Sequence, residues 1–233
     1  MKTDSKSLPM SDDILKQRRI VAMQNNTLEI NTFKILRTKI LKKLKDNQWT
    51  SFAITAPTKN SGKTMVAVNL AMVMAMELNQ TILLVDMNLR NPKIHHYFDL
   101  EVTLGVKDFL VSDTSLEDIL ITPQIDRLAV LPGRGQISNS SEMMTAPKMQ
   151  RLVRELKNIY HPQITLFDLP PILGSDDVLA SIDYYDAMLL VIEEGGNTAE
   201  EVKNSLKMLS EVSLLGTVLN KSESIPSHYH DYL

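Results

Sequence analysis

The sequence predicts an α/β fold: a doubly wound, mostly parallel sheet with helices N-terminal to it. Three observations lead there. From Phe52 onward, short apolar runs alternate with stretches of helical periodicity, and the runs lack the polar alternation of half-exposed strands. The triplet Gly62-Lys63-Thr64 stands where the first run turns into an apolar helix, which makes this a phosphate-loop (P-loop) NTPase fold. Two later runs each end on an aspartate, Asp86 and Asp168.

The elements follow in order. Residues 1–27 read as a loose polar tail and a short helix, opened by Ser11 and the acidic pair after it and carrying Ile14, Ile20 and Val21. Residues 28–222 form the phosphate-loop domain. Its first helix spans about 28–44, because Phe33, Leu36, Ile40 and Leu44 recur at helical spacing. The rest of that helix is basic (Lys34, Arg37, Lys39, Lys42, Lys43, Lys45), either a solvated face or a contact to a protomer or membrane surface. Strands are expected at 51–56, 81–86, 127–131, 164–168, 187–192 and 214–219. Helices are expected near 63–78, 147–160, 176–182 and 198–211. Residues 223–233 leave the core as a flexible tail, since Pro226 discourages continuation of the last strand.

The bulk properties exclude several classes. The 233 residues, 43% of them hydrophobic, suffice for one real core. A formal net charge of -3 disfavours a nucleic-acid binder. There is no cysteine, so neither disulfides nor thiolate chemistry is available. No run approaches the ~20 apolar residues that cross a bilayer, and the N-terminus lacks the apolar core of a secretory signal. A soluble, cytoplasmic chain is expected, reaching a membrane only through a partner.

In the segment Pro57-Thr58-Lys59-Asn60-Ser61-Gly62-Lys63-Thr64-Met65, the turn and helix N-terminus offer backbone N–H groups to the phosphates of ATP or ADP. Lys59, Asn60, Ser61, Gly62, Lys63, Thr64 and Met65 are the candidate nucleotide-binding residues. Lys63 would reach the terminal phosphate oxygens, and the Thr64 hydroxyl would ligate Mg²⁺. A full phosphate-loop pattern has glycine where Pro57 stands. Asn60 is suited to replace another glycine because asparagine tolerates left-handed dihedrals. Asp86 and Asp168 end strands on the same side as this loop, where a carboxylate holds Mg²⁺ or accepts a proton. His95-His96 reads as a surface pair at a helix start. His228 and His230 lack a third ligand for zinc.

Taken together, Val85-Asp86-Met87-Asn88-Leu89-Arg90-Asn91-Pro92, Phe167-Asp168-Leu169-Pro170-Pro171 and the phosphate loop resemble the three Walker motifs of bacterial tyrosine kinases. These belong to the deviant-Walker group that also holds partitioning and division-site ATPases. The resemblance covers about 28–222 and is nearest to kinase-like proteins of exopolysaccharide synthesis and export. It implies an ATP- and Mg²⁺-dependent tyrosine autokinase. Lys63, Asp86 and Asp168 would be catalytic, Thr64, Asp86 and Asp168 would hold the metal, and Asn220 would touch the adenine. It also implies a membrane polysaccharide co-polymerase whose cytoplasmic segment is the partner, recruitment to the inner face of the plasma membrane, and a homo-oligomer. Tyr229 and Tyr232 are the candidate phosphorylation sites.

Three departures bear on this. Asn88 stands where the family has a second aspartate. Where the family's oligomer-contact helix carries a glutamate and two arginines, this chain reads Asn31, Lys34 and Arg37, and lysine lacks arginine's planar two-pronged contact. The tail holds only two tyrosines. A nucleotide-switched scaffold and a partitioning-type ATPase therefore remain as alternatives.

Overall fold

The computed structural model describes residues 12–23, 28–76, 80–159 and 163–222. The start of the N-terminal tail, Tyr229, Tyr232, His228 and His230 lie outside the described residues. In chain order the elements are α1 (Asp12–Gln17), α2 (Leu28–Asn47), β1 (Ser51–Thr55), α3 (Lys63–Ala75), β2 (Thr81–Asp86), α4 (Ile94–Tyr97), α5 (Val106–Val111), α6 (Leu116–Ile119), β3 (Leu128–Leu131), α7 (Ser140–Thr145), α8 (Pro147–Leu156), β4 (Gln163–Asp168), α9 (Asp177–Ala180), β5 (Ala187–Glu193), α10 (Ala199–Met208) and β6 (Leu214–Asn220).

Among the described residues the six strands pair in the order β3-β2-β4-β1-β5-β6, every pairing parallel. Successive side chains point to opposite faces, so each strand feeds two cores. Phe52, Ile54, Ile82, Leu84, Leu166 and Leu189 pack under α1, α2 and α3. Ala53, Leu83, Val85, Phe167, Met188 and Leu190 pack under α5, α7 and α8 on the other face. Burial on both faces is why the strands read as continuous apolar runs. Only β6, at an edge, alternates between exposed and covered residues.

The expected elements recur with shifted ends. α2 continues to Asn47, α8 ends at Leu156, α9 is one turn, and Ile182–Tyr184 forms a separate 3-10 turn. The helices α4, α5, α6 and α7 escaped prediction because four to six residues are too few to display a helical period.

The N-terminal segment is fastened to the core by one buried residue. Asn69, in the middle of α3, accepts hydrogen bonds from the amides of Val21 (2.8 Å) and Ala22 (3.0 Å). Its own amide donates to the carbonyls of Arg19 and Met65, both at 2.9 Å. Ile20 and Ala22 are thereby sealed into the core. Asn69→Leu keeps the branched shape but leaves the amides of Val21 and Ala22 without their acceptor. The expected cost is about 2 kcal/mol, read as a lower urea midpoint at unchanged slope.

Candidate functional site

The segment from Ala56 to Gly62 turns the chain from β1 into α3, and the turn needs left-handed backbone twice. Asn60 has φ 68° and Gly62 has φ 83°. Asparagine enters this region at small cost, so the missing glycine at 60 does not prevent the turn. Gly62 has a second reason to be glycine: a Cβ there would sit 2.2 Å from Asn220 Nδ2. That same Nδ2 donates to the Ser61 carbonyl (2.8 Å), so Asn220, at the end of β6, braces the loop. Asn197 braces it again by donating to Thr58 Oγ1 (2.8 Å). The first α-helical bond runs from the Val66 amide to the Gly62 carbonyl, so the amides of Lys63, Thr64 and Met65 precede the ladder. Ser61 is buried, while Lys59 and Asn60 face solvent.

Lys63 and Thr64 open α3 directly beneath the end of β4. Lys63 Nζ lies 2.9 Å from Asp168 Oδ1 and donates to Thr64 Oγ1 at 3.2 Å. Thr64 Oγ1 donates to Asp168 Oδ2 at 2.7 Å. β2 and β4 are in register at their last residues, which sets Asp86 opposite Asp168. Both carboxylates are fully buried. Asp86 accepts backbone hydrogen bonds from Lys93 (2.8 Å), Ile94 (3.0 Å) and Asn88 (3.2 Å).

Burial, and after it the charge of Asp168, pushes the Asp86 carboxyl up to about 7, against the lowering pull of the Ile94 amide and of Lys63. A raised pKa means that, between the ordinary value of 3.8 and about 7, the folded chain holds a proton that the unfolded chain has lost. Stability therefore falls as pH rises through that window. Melting of the metal-free chain should show a decline from pH 5 to pH 7.5, and Asp86→Asn should flatten it.

Sequence reasoning missed a second layer around these groups. Arg90 reaches Asp177 through Nε (3.3 Å) and Nη2 (3.1 Å), and Nη2 also reaches Ser141 Oγ (3.2 Å). Ser141 in turn donates to Asp177 (2.9 Å) and to Asp176. This cluster ties together the segments that follow β2, β3 and β4. The partners of Asp177 lie far away in sequence, so no spacing along the chain reveals them. Gly133 contributes through absence, since a Cβ there would meet Pro92 at 2.4 Å. Of the oligomer-contact positions, Arg37 turns inward to the Val73 carbonyl of α3 (3.0 Å), while the altered Asn31 and Lys34 are half-buried on α2. His95 and His96 lie on α4 with their rings 4.0 Å apart.

Above these groups opens a cavity of about 720 Å³ lined by Lys59, Lys63, Thr64, Asn88, Arg90 and Asn220, among others. The donor set suits Mg-nucleotide. Thr64 and Asp168 place hard oxygens side by side, Asp86 is a second carboxylate, and Lys63 with the α3 N-terminus favours phosphate. A phosphate loop at the carboxyl edge of a parallel sheet, with the next two strands on one side, β4 and β2, both ending on aspartates, is the arrangement of P-loop nucleotide-binding proteins. Comparison with known proteins narrows the class. A family model described as an AAA domain matches residues 53–219. Tyrosine-protein kinase YwqD of Bacillus subtilis is 31% identical over 220 residues, covering 93% of this chain and 92% of that protein. The chain belongs to the bacterial tyrosine-protein kinase family. Its fold superposes on the crystal structure of the chimerical protein CapA2B2 with a TM-score of 0.82 (25% identity, 92% of this chain and 100% of that chain). For the kinase domain of the Escherichia coli tyrosine kinase ETK the TM-score is 0.79 (25% identity, 94% and 92%).

Among the described residues, no helix is long and apolar enough to cross a membrane.

Proposed function

We propose that the chain binds Mg-ATP in this cavity and transfers the terminal phosphate to tyrosine hydroxyls, its own tail included. The observation that carries the reading is the buried Lys63–Thr64–Asp168 cluster at the foot of the phosphate loop, with Asp86 opposite. The tyrosine oxygen bonds to the terminal phosphorus as the bridging P–O bond breaks, ADP leaves, and the hydroxyl proton passes to a base. Asp86 suits that role, because its surroundings already favour the protonated carboxyl. Lys63 moves its ammonium from Asp168 to the phosphate oxygens, while the loop amides hold the phosphates in line. Thr64 and Asp168, with Asp86 as a further carboxylate, would hold Mg²⁺, which would supply charge to neutralise the phosphates.

In this reading the chain acts at the cytoplasmic face of the plasma membrane, in polysaccharide synthesis and export. The cytoplasmic segment of a membrane co-polymerase is its partner, and copies of the chain exchange tails within an oligomer. Mass spectrometry of the full chain after incubation with Mg-ATP should find phosphate on Tyr229 or Tyr232. Phosphate on neither tyrosine, with Mg-ATP binding intact, would favour a nucleotide-switched scaffold. Asn88 supports that second reading, since its backbone amide donates to Asp86 and its side chain brings no charge.

A further inference from the structure

Every charged side chain on the walls of the cavity is basic, among them Arg19, Lys59, Arg90, Lys93 and Lys221. The two site carboxylates lie buried beneath its floor. Only part of this charge serves the nucleotide. Strand order sets Asn220, the last residue of β6, and Lys221 at one end of the cavity, the phosphate loop after β1 in the middle, and Lys93 and His96, after β2, at the other end. A nucleotide whose base lies toward Asn220 leaves the β2 end open for the second substrate.

Arg19 joins that end from the N-terminal segment. Its carbonyl is pinned by Asn69, six residues beyond Lys63, or about 9 Å along α3. Arg18, next to Arg19, donates to Asp99 just past α4 (2.6 Å), which brings this segment alongside α4. Neither the Arg19 nor the Lys93 side chain has an ion-pair or hydrogen-bond partner among the described residues. A concave site lined by one sign of charge concentrates ligands of the opposite sign.

We propose that Arg19 and Lys93, with His96 beside them, form an acceptor subsite that selects tyrosines flanked by carboxylates; this deepens the kinase reading and rests on it. The two cations grip acidic neighbours of the tyrosine while the hydroxyl points toward the phosphate loop. The probe is a fluorescent Glu-Glu-Tyr-Glu-Glu peptide against its glutamine-flanked counterpart, titrated by anisotropy into the full chain with Mg-ADP at low salt. The acidic peptide should bind about ten-fold tighter. Arg19→Glu/Lys93→Glu should erase that preference, while Lys42→Glu/Lys45→Glu, on the exposed face of α2, should keep it. Equal binding of the two peptides, or a preference that survives Arg19→Glu/Lys93→Glu, overturns the proposal. So does loss of Mg-ADP together with the peptide, which would assign both residues to the nucleotide. Phosphate transfer to the same peptides is followed in parallel. Preference without transfer keeps the subsite and removes the kinase activity, whereas transfer without preference does the reverse.

Discussion

Mg-ATP at 100 times its dissociation constant is expected to stabilise the chain by about 2.7 kcal/mol, and Lys63→Ala should remove nearly all of that gain. Lys63 is the one cation within reach of Asp168 among the described residues, at 2.9 Å. It is also the first residue of α3, directly after the phosphate loop. The substitution has a second effect, which the double variant isolates. Removing one partner of a buried ion pair leaves a buried charge uncompensated and costs about 3–5 kcal/mol. Lys63→Ala should therefore melt lower even without nucleotide, and adding Asp168→Asn should return part of the loss. Denaturant or thermal unfolding, with and without Mg-ATP, reads both effects. An equal nucleotide shift in wild type and Lys63→Ala would remove Lys63 from the site.

Asp168→Asn should slow phosphate transfer by on the order of 10²–10³-fold. The side chain keeps its shape but loses its charge. Its new NH₂ group would face the Lys63 ammonium or the Thr64 hydroxyl, two donors that now share the carboxylate. Asp86→Asn should abolish transfer if Asp86 is the base and metal partner proposed above. Asn88→Asp should work in the opposite direction by restoring a carboxylate two residues from Asp86. Turnover measured on the three variants against wild type decides the matter. Unchanged turnover in Asp168→Asn would exclude the carboxylate from catalysis, and unchanged turnover in Asn88→Asp would show the second carboxylate to be dispensable.

Much of the fold could be read from residues alone because its strands are buried on both faces. Val85 and Phe167 each precede an aspartate at a strand end, and an uninterrupted apolar run marks such a strand without help from its neighbours. The phosphate loop was equally visible, being local in sequence: strand, turn, lysine, helix. What escaped was built from separated segments. Asn69 looks like any polar residue in a helix until the amides of Val21 and Ala22 arrive at its carbonyl. Arg90, Ser141 and Asp177 follow three different strands and meet only when β2, β3 and β4 are ordered in the sheet. Asn197 likewise reaches the phosphate loop from the far side of β5. Spacing along the chain carries no sign of such contacts. Asn60 is the opposite case, because the left-handed tolerance of asparagine is a property of the residue itself.

The fate of the terminal phosphate tests the central claim most directly. The full chain is incubated with Mg-ATP labelled at that phosphate, and the label is followed into tyrosine phosphate and inorganic phosphate, with Lys63→Ala as control. A tyrosine autokinase puts label on tyrosine, and the control does not. Label found only as inorganic phosphate would make the chain an ATPase and contradict the account.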